Sequence, residues 1–583
     1  MYFLILPIMY VSVTTGLNEP LTLVRSIFLI SWVLVFFIIH PQNFRVKNPW
    51  QWSLLAIPGF YILSAIFNKQ NPTLALLGNY NRNFGLLTLF AIGFMVIYIS
   101  NSNLTVRHFL NWGLWPVTLV TLIYGFVQVV GKDPILWAEP DRTTLTLGNS
   151  DYAAALLAIL ILLPIYKFFQ TKNYVFRLFT FAVVLAEIKL GLFSQAYQFR
   201  VLAAFSIAGF LVINFWQRIK QLRKITTIPI FVFSGILLVR YLTDPATELL
   251  QRINFTDRIS QQQMGLRMFL DHPILGVGID QFWRFVPLYL RPRDIQINGS
   301  LVVPDKTHNL IIDHLAMGGI LVGLTFLIFL IYSLVTVYKF NRSHTKTEKS
   351  PEFVFLSVVW VTYVIHLFIS TDNVFMMTLG YATFGLILRC HFEAKVKDAG
   401  GKNSVTQLKV VSPNVLRITT TFLLIAVSVV NIRAVIADVK VKNVLSNQVK
   451  SGDEIIQTLR YFPNPKTAEE VIVYLLQNLQ NCPVAIVASD DLLKIDNRSA
   501  QAWYFKTLCS DASNDQKTAL SYINKSIEFQ PVNLIYWDAK VRLEVRLKEF
   551  DAAKKSIEQI RLINPSYASI NDLESLVADS VTN

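Results

Sequence analysis

The sequence predicts an all-α, polytopic helical membrane protein that ends in a water-soluble helical domain. Three observations predict it. The 583 residues are 53% hydrophobic and only 16% charged, with a mean hydropathy of +0.44, whereas a soluble globular chain would be about a quarter charged. The apolar residues form long runs rather than the short alternating segments of a β-barrel, and 42 Phe, 22 Tyr and 11 Trp suit lipid-facing helices with aromatic belts. Beyond residue 434 the runs stop and charges become interspersed, so the solvent changes from lipid to water. The formal charge of +15 does not indicate nucleic acid, because a polytopic protein concentrates Lys and Arg in its cytoplasmic loops. The three cysteines, Cys390, Cys482 and Cys509, are too few for a disulfide scaffold. No Cys/His cluster suggests a structural metal, and no cofactor is expected.

Judged over a window of about 19 residues, the membrane-crossing runs lie at 2–16, 21–40, 50–67, 84–100, 108–130, 151–169, 176–193, 199–216, 226–242, 308–338, 353–371, 374–390 and 414–432. They define a membrane domain over 1–434 with about twelve or thirteen spans. The first run has no basic leader, so it reads as a span rather than a cleaved signal. With the N-terminus inside, the cytoplasmic loops hold Arg45 and Lys47, then Lys167, Lys172 and Arg177, then Arg218, Lys220, Arg223 and Lys224. Lys339, Arg342, Lys346 and Lys349 follow, and then Arg389, Lys395, Lys397, Lys402 and Lys409. The positive-inside rule is met almost loop by loop. The acidic loop 131–150, the long connection 243–307 and the domain 435–583 then fall outside the cytoplasm.

That last domain repeats. Ala485, Ala519 and Ala553 recur every 34 residues, as do Trp503 and Trp537 and Pro531 and Pro565, with Pro463 two periods before Pro531. This is the spacing of tetratricopeptide helix pairs, in which small Ala lets helices approach and Pro ends the second helix. Two repeats are clear and one around 466–496 is degenerate. The tail carries no catalytic constellation, so it reads as a binding or assembly module whether it is of this type or another helical hairpin array.

Unusual polar residues of the membrane domain gather on the outer side, at 71–85, 144–157, 193–200 and 258–313. Such residues at span ends are candidates for a functional site. Arg82, Arg200, Arg258, Arg267, Arg291 and Arg293 offer guanidinium groups whose two-pronged geometry suits phosphate oxygens. Asp257, Asp271, Asp280, Asp294 and Asp305 could instead pair with several of them, although Arg82 and Arg200 have no acid nearby in sequence. His308 stands with Asp305, Lys306 and Thr307 at the start of a long span, where a helix dipole disfavours imidazolium and favours a neutral base. The alternative for His308 is a structural cap. A His base beside arginines at a membrane surface suits transfer from a lipid phosphate. No DxD occurs in an outer loop, so a divalent-metal mechanism has no visible ligands.

The stretch from Arg258 to Leu330 resembles the signature region of the O-antigen ligase and polymerase family. Arg258, the turn Pro273, Gly276 and Gly278, and the pair His308 and Asn309 occupy the places of the family's motif. GNYNRNFG around Arg82, GNSDYAA from Gly148 and STDN at 370–373 also look familial, and Gln195 departs from the pattern where many members have Arg. The resemblance spans roughly residues 50–390 and implies a bacterial, metal-independent, inverting glycosyltransferase of the cytoplasmic (inner) membrane. Such an enzyme takes a glycan from an undecaprenyl-pyrophosphate carrier. His308 would assist the acceptor hydroxyl, with Arg82, Arg258, Arg291, Arg293 and Arg200 on the pyrophosphate and Asp305 and Asn309 in support. The expected partners are the lipid-linked oligosaccharide, a glycan, lipid or protein acceptor, the membrane lipids and a protein bound by the tail. Within this class a ligase, a polysaccharide polymerase and a protein O-oligosaccharyltransferase all remain open. The rival from another class is a lipid-linked glycan flippase or transporter, which Glu187 and Lys189 inside the span 176–193 would suit.

Overall fold

The computed structural model describes residues 2–19, 21–44, 46, 50–135, 137–219, 255–298, 303–343, 351–398, 413–449 and 451–582. Among these the regular secondary structure is helical throughout. Among the described residues, eight helices are long and apolar enough to cross a bilayer: Thr22–Ile39, Val106–Val129, Ser150–Gln170, Tyr197–Asn214, Leu310–Lys339, Pro351–Ile369, Val374–Glu393 and Arg417–Leu445. Shorter apolar helices cover Tyr2–Val11, Gln51–Phe67 and Leu86–Asn101. Tyr174–Phe193 is long enough but carries Arg177, Glu187 and Lys189. Every expected span therefore coincides with a helix except 226–242, which lies outside the described residues.

Small residues set the packing of the bundle. Ala153, Ala154, Ala155 and Ala158 are fully buried in the helix that begins at Ser150, which lets its neighbours approach closely. Tyr174–Phe193 turns Tyr174, Val175, Leu178 and Leu185 outward instead, as a lipid-facing helix should. Arg25 is buried near one end of the bundle and donates to the carbonyls of Met9 (2.9 Å) and Thr146 (2.6 Å). That cation ties the loop before Gly148 to the first two helices.

The expected span 308–338 is not one straight helix. It is broken at Gly319, whose φ of 66° and ψ of −164° are not helical. The segment before the break folds back on the one after it, bringing the His314 and Phe326 rings to 4.4 Å between centroids. A broken helix leaves backbone groups unpaired, which is costly away from water. Here residues 273–278 pair with them: Val277 N–H donates to Ala316 (3.1 Å), Gly278 N–H to Met317 (2.9 Å) and Ile320 N–H to Pro273 (2.8 Å). The two chains meet backbone to backbone. A Cβ on Gly276 would lie 2.3 Å from the Met317 carbonyl carbon, and one on Gly319 would lie 2.2 Å from the Ile274 oxygen.

The tail is built from successive helix pairs. The second helices of three pairs begin at Cys482, Gln516 and Phe550, which keeps the 34-residue spacing read from the sequence, and Ala485, Ala519 and Ala553 are buried at equivalent places. The expected boundary at 434/435 falls inside one helix, Pro413–Leu445, which runs from the membrane bundle into the tail. Asp438 on this helix accepts from the backbone N–H groups of Asn18 (2.6 Å) and Glu19 (3.0 Å) and from the Tyr80 hydroxyl. Arg284 pairs with Asp496 at 2.5 Å, and Gln296 donates to the Ile563 carbonyl at 3.2 Å. The tail is thus seated on the end of the bundle that carries the 71–85 and 255–298 segments.

Cys482 and Cys509 form a disulfide with their Cα atoms 5.3 Å apart. The pairing removes the free thiols that an impermeant labelling reagent would need. Purified protein digested without reductant should yield the two cysteine peptides linked. Replacing both by Ser should destabilise the tail by roughly 2–4 kcal/mol. Full alkylation of Cys482 and Cys509 without prior reduction would contradict the assignment.

Candidate active site

Five segments, distant in sequence, converge at that end of the bundle. The first is the turn after the helix Pro72–Leu77. Asn79 accepts at its carbonyl from the N–H groups of Arg82 (3.1 Å) and Asn83 (2.9 Å), and Thr22 donates its hydroxyl to the Asn83 side chain at 2.7 Å. Asn81 and Asn83 take left-handed conformations, which Asn tolerates better than most residues. Arg82 therefore projects from a rigid loop.

Its guanidinium grips Asp305 with two prongs, Nε at 2.5 Å and Nη2 at 3.0 Å, and also donates to the Tyr152 hydroxyl. Tyr152 in turn lies 2.6 Å from the Thr371 hydroxyl and donates to the Asp372 carbonyl at 3.3 Å. Tyr152 is placed by Asn149, whose side chain caps the helix beginning at Ser150 by accepting from Asp151 and Tyr152 N–H. Asp151, in the first turn of that helix, receives Arg258 at 2.7 Å, and Arg258 also donates to the Ile369 carbonyl. Arg258 stands in the helix Phe255–Asp271, which packs so closely on the 305–309 segment that a Cβ on Gly265 would lie 2.5 Å from the Thr307 methyl.

His308 sits between these groups, but not where the sequence suggests. The helix starts at Leu310, and its cap is Asn309, whose side chain accepts from Ile311 (3.1 Å) and Ile312 (3.3 Å) N–H. His308 precedes the cap with φ of 57°. Its neutrality therefore has another cause than direct placement on a helix terminus. Burial, followed by the Arg258 charge and aided by Arg82, outweighs the opposing pull of Asp305 and brings the imidazole down to about 4. Nδ1 is buried and makes no hydrogen bond within the described protein. Asp305 shows the opposite balance. Burial alone would raise its carboxyl, but Arg82, backed by Lys306 and His308, holds it at about 2. At neutral pH the site thus holds a neutral imidazole against a guanidinium–carboxylate pair.

The other expected arginines stand apart from this network. Arg200 is exposed and lies over the Tyr197 ring at 4.9 Å. Arg291 and Arg293 are exposed around the short helix Pro292–Asn298, with Asp294 of that helix accepting from Arg291 N–H (2.8 Å) and Ser260 (2.5 Å). His314 is buried on the folded-back segment, 2.7 Å from the Tyr61 hydroxyl. Sequence reasoning missed Asp151 and Tyr152 as partners, although the GNSDY and STDN motifs that hold them or pack against them were visible.

Residues 143–327 match the family model described as O-antigen ligase. No curated protein matches the chain. The matched segment includes Asp151, Tyr152, Arg258, Asp305 and His308, while Arg82 lies before it. The similarity supports a membrane-embedded enzyme of the glycan-transferring type.

Proposed function

We propose that this protein transfers a glycan from an undecaprenyl-pyrophosphate-type lipid carrier to an acceptor hydroxyl at the outer face of a bacterial cytoplasmic membrane. The observation that carries this reading is the meeting of Arg82, Arg258, Asp305 and His308 at one end of the bundle. In the proposed step the acceptor oxygen attacks the anomeric carbon as its proton passes to the neutral His308 ring. The bond from that carbon to the pyrophosphate oxygen breaks, with inversion, and its electron pair leaves with the lipid pyrophosphate. Arg82 and Arg258 neutralise that leaving group, and Asp305 and Asp151 keep the two guanidinium groups oriented before it arrives. Proton transfer and charge neutralisation need no metal in this scheme, and no DxD stands in the outer loops.

The loop charges and the disulfide support an extracytoplasmic tail, since disulfides persist in oxidising compartments. Its 34-residue helix pairs support a tetratricopeptide assignment. Its seat beside the site supports a polymer or protein acceptor lying along it. A second reading, transport of the lipid-linked glycan, draws on Glu187, fully buried with both carboxylate oxygens unpartnered among the described residues, and on the helix broken at Gly319. Movement of labelled donor across proteoliposome membranes without acceptor would favour it.

In a reconstituted assay with purified lipid-linked donor, His308→Ala should leave donor binding nearly intact while transfer falls about 10²–10⁴-fold. Because a base depressed to about 4 is already neutral at pH 6, the parent rate should lose its His308-dependent limb only as pH falls below roughly 5. A limb near pH 6.5 that disappears in His308→Ala would contradict the assigned environment.

Arg82→Ala and Arg258→Ala should each raise the donor concentration needed for half-maximal transfer about 10- to 150-fold, the equivalent of roughly 1.5–3 kcal/mol for a lost charge-assisted contact. Lys at either place should rescue only in part, because it cannot make the two-pronged contact. Full activity in the double Ala variant would remove both residues from the site.

A further inference from the structure

We propose that Asp280 and Lys306 are positioning residues: their ion pair fixes where His308 stands relative to the Arg82 turn. The proposal rests on the transfer reading above. Neither residue is needed there for chemistry, yet both are almost fully buried, with side chains 1% and 4% exposed. Burying an ion pair is a poor route to stability, since desolvation commonly cancels the attraction. Its position shows what else it does. One Asp280 oxygen takes the Lys306 ammonium, and the other accepts from Asn79 N–H at 2.6 Å. Asn79 is the residue whose carbonyl receives Arg82 N–H, and Asp305, next to Lys306, receives the Arg82 guanidinium.

The contacts close a ring through Asn79, Arg82, Asp305, Lys306 and Asp280. Asp305 reaches one end of the turn directly at Arg82, and Lys306 reaches the other at Asn79 through Asp280, so the segment bearing His308 cannot slide along the Arg82 loop without breaking one of these links. Asp280 is itself held, in a left-handed conformation (φ 56°), just after the Gly276–Gly278 segment that plugs the helix break. The pair thereby links the break, the arginine turn and the histidine. It also walls an apolar cavity lined by Tyr61, Met317 and Phe326, where either charge left alone would be expensive.

The test uses the full-length protein in nanodiscs with purified lipid-linked donor. Lys306→Met and Asp280→Asn should each reduce the yield of folded protein, because each leaves a buried charge without the ion-pair partner it touches. The double variant Asp280→Asn/Lys306→Met removes both charges of the pair and should recover yield and thermal midpoint relative to either single variant, with buried Asp313 still held by Thr307 N–H. Its KM for donor should stay within about threefold, while kcat falls about 10–100-fold, the scale expected when reacting groups shift by about 1 Å. Asp280→Asn/Lys306→Gln, whose amides can bond across the same gap, should recover much of that kcat. A folded Asn/Met double variant with parent kcat, measured where His308→Ala is inactive, overturns the proposal and leaves the transfer reading standing. Failure of both neutral pairs to fold assigns the ion pair to stability and also overturns it. Parent activity in His308→Ala removes the transfer reading and this proposal together.

Discussion

The site depends on a junction built from main-chain hydrogen bonds, which the Ser64 hydroxyl and the Asn68 amide brace by donating to the Leu275 and Gly276 carbonyls. At Gly319 a membrane helix turns back on itself, and the groups it leaves unpaired are taken by the backbone of residues 273–278. Because the contact is between main chains, a Cβ on Gly276 or Gly319 would collide with the opposite backbone, and glycine is required on both sides. Asp280 follows directly from one partner, and the 305–309 segment leads directly into the other. A helix break in a membrane domain is tolerated only where its loose ends are met, and here meeting them also sets the spacing of the polar groups above.

Electrostatics then decide the protonation states. Each guanidinium of the central cluster has a carboxylate from another segment, Arg82 with Asp305 and Arg258 with Asp151. The pairs hold the arginines in place, and burial, joined by the Arg258 and Arg82 charges and opposed by Asp305, holds the His308 imidazole below its ordinary value. On the proposed function, an arriving pyrophosphate would compete with the carboxylates for donors already aligned, so it would meet oriented guanidinium groups and not mobile side chains. The tail adds a second constraint. Asp438 anchors it to Asn18 and Tyr80 and Asp496 to Arg284, so the tail is tied to the segments that surround the candidate site.

The membrane spans were legible because a continuous apolar run of bilayer length is tolerated almost nowhere but in lipid, and the tail because Ala, Trp and Pro kept one period. Part of the candidate site was legible as motifs: Arg82, Arg258, Asp305 and His308 come together in space, while Arg200, Arg291 and Arg293 stand apart. What could not be read was pairing across long separations. Arg82 has no acid near it in sequence, yet Asp305 lies in two-pronged contact; the same separation in sequence hides the pairing of Arg258 with Asp151. The break at Gly319 was hidden because the sequence LAMGGILVG stays apolar through it, the Gly-Gly pair being the signal to weigh. The shift of the helix start from His308 to Leu310 has the same origin, since Thr307, His308 and Asn309 all stand near the boundary and only Asn309 turns out to cap it.

On the proposed function, this convergence of arginines and histidine acts on a lipid-linked glycan. The direct measurement is the fate of that glycan in cells from which the gene has been deleted, read by mass spectrometry of the extracted lipid carrier and of the envelope glycan. The account predicts that glycan accumulates on the carrier, either full-length and unattached or stalled at a single repeat, and that the parent gene but not one encoding His308→Ala relieves the accumulation. Unchanged carrier-linked and envelope pools after deletion would contradict it.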